Sequence, residues 1–290
     1  MTWPVAFQLA LSGVSVGSIY AMVALALVIP YKASGVLNFG QGEIVTFGAY
    51  TGLVLSQMLP FAAVLPLTVL IAALFGIVIE RLLIRPIIAA PEFTLVIATF
   101  AIGLMIRAAI RLHWQDNSFP LDAPYVGPPL LLGSLRANPA YLVIIASMTA
   151  LVLALIQFFR ASKFGKAMRA VALDAIAARL MGIGINSVFA SAWAMSTAIA
   201  ALAGLLLAPI IGVNPEIGNL ILKALVAAVI GGFTSLGGAV LGGLLLGVLE
   251  TFGGAFLGAT FKNIVPFGIL ILLLLLRPHG LFGRAVQQRV

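Results

Sequence analysis

The chain has 290 residues, of which 62% are hydrophobic and 8% charged, with no cysteine and a formal net charge of +8. Soluble domains carry roughly 45–50% apolar and about 25% charged residues, so this chain cannot cover itself with a polar surface and belongs in a bilayer. That excludes a water-soluble catalytic domain, a disordered tail and a disulfide-stapled secreted module; the missing cysteines also exclude thiolate metal sites and cysteine catalysis.

A helix of about 20 residues crosses about 30 Å of hydrocarbon. Apolar runs of that order lie at 7–29, 37–58, 61–79, 93–112, 140–159, 187–211, 219–232, 237–257 and 263–276. They are continuous rather than alternating, which predicts an all-α polytopic transmembrane helix bundle rather than a barrel. The seventh and ninth runs are short. The seventh is short enough to be a broken or re-entrant helix, so eight or nine spans are expected. The whole chain, 1–290, reads as a single transmembrane domain.

The loops between the runs set the orientation. Basic residues fall at segment ends: Lys32, Arg81, Arg85, Arg160, Lys163, Lys166, Arg169, Arg179, Arg277, Arg284 and Arg289. This is the pattern of loops retained on the cytoplasmic side, so 30–36, 80–92, 160–179 and the tail after Leu276 are expected there. No basic patch with interleaved aromatics emerges, and no nucleic-acid partner is expected. The Pro-rich loop 113–139, with Asp116, Asp122 and Arg136, is expected outside. Arg107 and Arg111 lie at the outer end of the fourth run, against this scheme, and would have to snorkel. No charge precedes Lys32, which argues against a cleaved signal peptide with a basic n-region.

Within the runs, thirty glycines need a physical reason. Spacing by four places small residues on one helix face and lets helices pack closely; it occurs at Gly13 and Gly17, Gly48 and Gly52, Gly238 and Gly242, Gly243 and Gly247, and Gly254 and Gly258. Polar residues in spans are costlier and more telling. Asn38, Gln41 and Glu43 open the second run, Lys223 begins a Gly-rich stretch and Glu250 ends one. They read either as helix-packing hydrogen bonders or as polar markers along a solute path.

Enzyme signatures are missing. His113 and His279 are the only histidines and fall on opposite sides of the expected topology, which disfavours a shared metal site. HExxH and GxSxG are absent. Gly165-Lys166 is followed by Ala167, with Arg160 where a phosphate-binding loop needs glycine. No catalytic residue, metal or cofactor is therefore assigned, and any ATP would be consumed by another polypeptide.

The segment 160–186, RASKFGKAMRAVALDAIAARLMGIGIN, is the longest polar insertion on the expected cytoplasmic side. Lys163, Lys166 and Arg169 recur near helical spacing beside an apolar line of Phe164, Met168, Val171 and Ala175, and Gly182 and Gly184 end the pattern. Such an amphipathic helix suits either a groove in a partner protein or a bed of anionic headgroups.

Asp174-Ala175, then Ala177-Ala178 and Gly182, resembles the coupling loop of ABC importer permeases in its branched-chain amino-acid variant. That loop usually begins Glu-Ala-Ala; here Asp174 replaces the Glu and one residue is inserted. GSIYAMVALALVIPYKASGVLNFGQGEIVTFGAY (17–50), including Tyr20, resembles the first two helices of LivH-type permeases. GGFTSLGGAVLGGLLLGVLE (231–250) resembles that family's Gly-rich signature. The resemblance implies a bacterial inner-membrane permease of branched-chain amino acids or related small solutes, such as other amino acids, amides or urea. It implies cytoplasmic ATP-binding subunits, a second, related permease chain and a periplasmic solute-binding protein as partners. Asp174, Ala177, Ala178 and Gly182 are the expected coupling residues. Tyr20, Asn38, Gln41, Glu43 and Glu250 are the expected pathway or packing residues. An ion-gradient-driven secondary transporter is the alternative; it should show inverted repeats and a midplane ion site, and no convincing repeat is visible.

Overall fold

The apolar runs become helices because a backbone in hydrocarbon must satisfy its own hydrogen bonds. The computed structural model describes residues 3–283 apart from 133–134, 259 and 278–279. His279, Arg284 and Arg289 lie outside the described residues. In chain order the elements are α1 (Trp3–Ser34), α2 (Gln41–Ser56), α3 (Phe61–Ile79), α4 (Glu92–Trp114), β1 (Leu130–Leu132), β2 (Leu135–Ala137), α5 (Pro139–Ala161), α6 (Lys163–Leu173), α7 (Ala175–Leu180), α8 (Ile185–Ile211), α9 (Leu220–Gly231), α10 (Leu236–Leu257) and α11 (Phe261–Leu276).

Among the described residues six helices are long and apolar enough to cross a membrane: Trp3–Ser34, Phe61–Ile87, Glu92–Trp114, Pro139–Ala161, Ile185–Ile211 and Leu236–Leu257. The helices from the second, seventh and ninth runs are shorter, at 16, 12 and 16 residues. At 1.5 Å per residue α2 covers about 24 Å, less than the hydrocarbon thickness.

Three boundaries differ from the sequence expectation. The second helix starts at Gln41 rather than 37, because Asn38 turns its side chain onto the backbone: its Oδ1 accepts from Gly40 N at 3.0 Å. The expected loop at 30–36 is largely helix, since α1 runs through Pro30 to Ser34. The loop expected at 80–92 begins as helix too. A π turn over Glu80–Ile84 and a 3-10 turn over Arg85–Ile87 continue α3, with the buried Glu80 carboxylate held by Arg85 at 2.6 Å. The loop 113–139 adds a small antiparallel hairpin, Leu130 pairing Ala137 and Leu131 pairing Arg136, to an otherwise helical chain.

The chain divides into two compact units, Met1–Val28 with Tyr125–Met148 and Leu220–Val290, and Ile29–Pro124 with Thr149–Asn219. In the first, glycines form the seams. A Cβ on Gly13 would lie 2.9 Å from Val248 Cα, and one on Gly17 would lie 2.8 Å from the Gly243 carbonyl oxygen, so α1 rests directly on the backbone of α10. Gly242 abuts Ala227 and Gly231 of α9 in the same way. In the second unit α2 is enclosed by α3, α4, α8 and a 3-10 turn over Pro215–Asn219. Gly48 sits against Ala201 of α8, Gly204 against Val45, and Gly76 against Thr197.

The pair Gly254 and Gly258 departs from this pattern. Gly258 terminates α10 at φ +98°, and a Cβ there would meet nothing within 4 Å among the described residues, so it serves a helix end rather than a seam.

Candidate functional site

Two buried polar centres and one capped surface segment hold the expected site residues. In the first unit Tyr20 of α1 and Glu250 of α10 meet. The Tyr20 hydroxyl donates to Glu250 Oε2 at 2.8 Å, and Lys223 of α9 donates to Glu250 Oε1 at 2.7 Å. The Glu250 side chain is fully buried and Lys223 is 21% exposed. Lys223 also stands over the Tyr20 ring at 6.0 Å. A lone carboxylate in hydrocarbon costs on the order of 3 kcal/mol, and here a cation and a hydroxyl occupy both its oxygens.

In the second unit the run Asn38, Gln41, Glu43 does not act as one cluster. Asn38 Nδ2 donates to Gln41 Oε1 at 2.8 Å, and Gln41 Nε2 donates to the Ser196 carbonyl of α8 at 3.1 Å. Thr99 of α4 completes the knot, donating to Leu37 O and accepting from Phe39 N, both at 3.2 Å. Asn38 and Gln41 are buried and tie the non-helical link to α4 and α8.

Glu43 lies half a turn further on and pairs elsewhere. Its Oε1 accepts from Arg107 of α4, with the Nε contact at 2.9 Å. Arg107 Nη2 also donates to Asn219 Oδ1 at 3.1 Å. Gly218 packs onto the same carboxylate: a Cβ there would lie 2.8 Å from Glu43 Oε1. Arg111, one turn along α4, bonds Glu216 and Asp116, each at 2.8 Å. The two arginines that seemed to oppose the topology are thus paired rather than left to snorkel. Glu43 Oε2 remains buried without a hydrogen-bond partner among the described residues.

Sequence reasoning named Glu43 and Glu250 but missed Arg107 and Lys223 as their partners. The signal was a cation inside or beside an apolar run, a residue type retained in a membrane only when something answers its charge. The tie to Asn219 had no local signature, since it joins residues 112 apart.

The segment 160–186 is not the single amphipathic helix its pattern suggested. Asp174 breaks it into α6 and α7, with extended backbone at φ −157° and ψ 106°, and caps α7 by accepting from Ile176 N and Ala177 N at 2.9 Å each. At the other end Gly182 takes φ +81°, its N–H donates to Arg179 O, and Ile183 N donates to Ala178 O, both at 3.0 Å. This paired closure with a left-handed residue favours glycine. The proposed apolar line is also redistributed. Met168 and Val171 are buried against the chain itself, together with Ala178. Leu173, Ile176, Leu180 and Met181 are left outward, each at least 77% exposed, and Phe164 of the expected line is half-exposed.

Residues 9–274 match the family described as branched-chain amino acid transport system / permease component. The chain is 34% identical over 300 residues to the high-affinity branched-chain amino acid transport system permease protein BraD of Pseudomonas aeruginosa, covering 98% of this chain and 97% of that one. It is 33% identical over 296 residues to the corresponding protein LivH of Salmonella typhimurium, covering 96% of each. Over 292 residues it is 27% identical to the permease protein LivM of Escherichia coli, covering 91% of this chain and 67% of that one.

Proposed function

The chain belongs to the family of branched-chain amino acid transport permease components, and on that premise we propose that it forms half of the membrane pathway of an ATP-driven importer of branched-chain amino acids. It is a multi-pass inner-membrane protein and a transport subunit without an ATPase site of its own. The whole chain, 1–290, acts as one permease domain with eight or nine crossings; α2, α9 and α11 are the short ones, and α9 is the one read as broken or re-entrant. A second, related permease chain completes the pathway. A periplasmic solute-binding protein delivers solute on the side of loop 113–139, and cytoplasmic ATP-binding subunits engage 160–186.

The observation that carries this reading is the outward apolar face of α7. Ile176 and Leu180, four apart on α7, are exposed, as are Leu173 at the end of α6 and Met181 at the C-cap, and α7 is closed at both ends by capping bonds. A rigid, capped helix transmits displacement where a fraying one would absorb it. Asp174, Ala177, Ala178 and Gly182 build that rigidity, and the apolar side chains enter a groove of the ATPase. Closure of the ATPases on ATP then biases the bundle between its inward- and outward-facing states.

Inside the bundle, Asn38 and Gln41 hold the α2 entry. Glu43 is the polar marker of the solute path, and Tyr20, Lys223 and Glu250 form a neutral anchor among three helices. ATP needs no site in this chain, and no metal or cofactor is required for the transport step.

The test is reconstitution of the chain with its ATPases, companion permease and binding protein in liposomes. Leucine uptake with vanadate-sensitive, leucine-stimulated ATP hydrolysis is expected. Uptake by the chain alone on a proton or sodium gradient would overturn the proposal in favour of a secondary transporter.

A further inference from the structure

Two helical stripes face one another in the second unit. On α2, Glu43, Phe47 and Tyr50 follow the i, i+4, i+7 spacing of a single face, and on α4 Arg107, Ile110 and Trp114 follow i, i+3, i+7. The Glu43–Arg107 pair and the Tyr50–Trp114 contact, with ring centroids 4.8 Å apart, bring the stripes together in parallel register. Next to the ion pair, which stands outside its walls, they line with α3 a half-open cavity of about 510 Å³ whose walls include Phe47, Tyr50, Phe75, Ile106, Ile110 and Trp114. Phe47 stacks on Phe75 at 4.6 Å and shapes one wall.

The stripes carry two unsatisfied polar atoms. Tyr50 is 2% exposed, lines the cavity, and its hydroxyl has no hydrogen-bond partner among the described residues; Glu43 Oε2, one turn below Phe47, has none among them either. A buried polar atom left unpaired is costly, so each unpaired atom here points to a polar group that joins it in another state of the molecule. A lipid chain offers none. What answers both is a small molecule with an apolar body, a hydrogen-bond acceptor at one end of its polar head and a cation at the other.

We propose that the facing stripes Glu43–Phe47–Tyr50 and Arg107–Ile110–Trp114 form a binding site for one zwitterionic aliphatic amino acid. Its ammonium group is held by Glu43 Oε2, its carboxylate accepts from the Tyr50 hydroxyl, and its side chain occupies the apolar cavity. Arg107 holds Glu43 by Oε1 and so keeps Oε2 turned to the ligand. The assignment rests on the importer reading above and deepens it, making this chain a second filter on side-chain size after the binding protein.

The experiment fills the cavity from its margin. Ala109→Phe acts on the exposed α4 rim, and Thr51→Leu acts from α2; both positions line the cavity. Uptake of leucine and of valine is measured in the reconstituted transporter at saturating loaded binding protein, with assembly of each variant checked by co-purification of the ATPases. Because one methylene in an apolar pocket is worth roughly 10-fold or more in discrimination, at least one filled variant should shift the leucine-to-valine ratio of turnover about threefold or more against leucine. A ratio unchanged in both assembled variants, whether uptake falls equally for the two solutes or not at all, overturns the proposal and leaves the cavity to lipid chains. If the wild-type transporter moves neither solute, the importer reading itself fails, a result distinct from an unchanged ratio.

Discussion

The buried triad in the first unit offers a quantitative test of why charged residues persist in these helices. Lys223→Met keeps the length and apolar stem of the side chain and removes its ammonium, leaving Glu250 fully buried with the Tyr20 hydroxyl as its remaining bond. At an effective dielectric of about 20 the lost attraction at close contact is on the order of 4–6 kcal/mol, offset by the desolvation that Lys223 no longer suffers. A net destabilisation of about 3 kcal/mol is expected, the value that breaking buried pairs commonly gives. Glu250→Gln in the same background removes the stranded charge and retains a carbonyl to accept from Tyr20. The double variant should therefore be about 2 kcal/mol more stable than the sum of the two single effects. Unfolding of the purified chain in mixed micelles by titrated dodecyl sulfate, followed by far-ultraviolet circular dichroism, gives the three free energies. Additivity within about 0.5 kcal/mol would refute the reasoning, because independent groups add and coupled charges do not.

Four further outcomes follow from the packing, the caps and the exposed face of α7. Gly48→Val drives a side chain into Ala201 of α8, whose Cβ would lie 2.6 Å from the new Cβ, and should cost about 3 kcal/mol or more in the same unfolding assay. Gly237→Ala in α10, whose new Cβ would meet nothing within 4 Å among the described residues, should be neutral within about 0.5 kcal/mol. Asp174→Ala removes both capping acceptors of α7 for about 1 kcal/mol, so amide exchange at Ile176 and Ala177 should quicken about fivefold while global unfolding stays unchanged. Leu180→Glu puts a charge on the exposed face of α7, 83% open to solvent, and should prevent co-purification of the ATPases without lowering the amount of folded chain.

Much of the fold was legible because the bilayer leaves the chain few choices. Each of the nine apolar runs became a helix, and three of the five glycine pairs at spacing four became contacts with a neighbouring backbone at both glycines, while Gly48 meets the Ala201 backbone and Gly52 the Leu205 side chain. Gly182 also announced itself as a helix end, since a residue without Cβ suits that position whatever surrounds it, whereas the pattern ran through Asp174 as one helix. Such features depend on residues a few positions apart.

What lay beyond the sequence were the pairings across long separations and the direction each face takes. Asn38, Gln41 and Glu43 stand within six positions, yet the first two bond the α2 entry to α8 while the third turns to α4. Phe164, Met168, Val171 and Ala175 lie on one helical line, yet Met168 and Val171 are buried against the chain's own body and Leu173, Ile176, Leu180 and Met181 are left outside.

The 62% apolar and 8% charged composition determined the solvent, the secondary structure and the residues that must find partners, because those follow from the cost of bare backbone and bare charge in hydrocarbon. Only the tertiary structure decided which charge answers which: Glu250 to Lys223 and Tyr20, Glu43 to Arg107. The physical reason is that an ion pair is a short-range contact, and residues 27, 64 or 230 positions apart come within about 3 Å only once helices have packed.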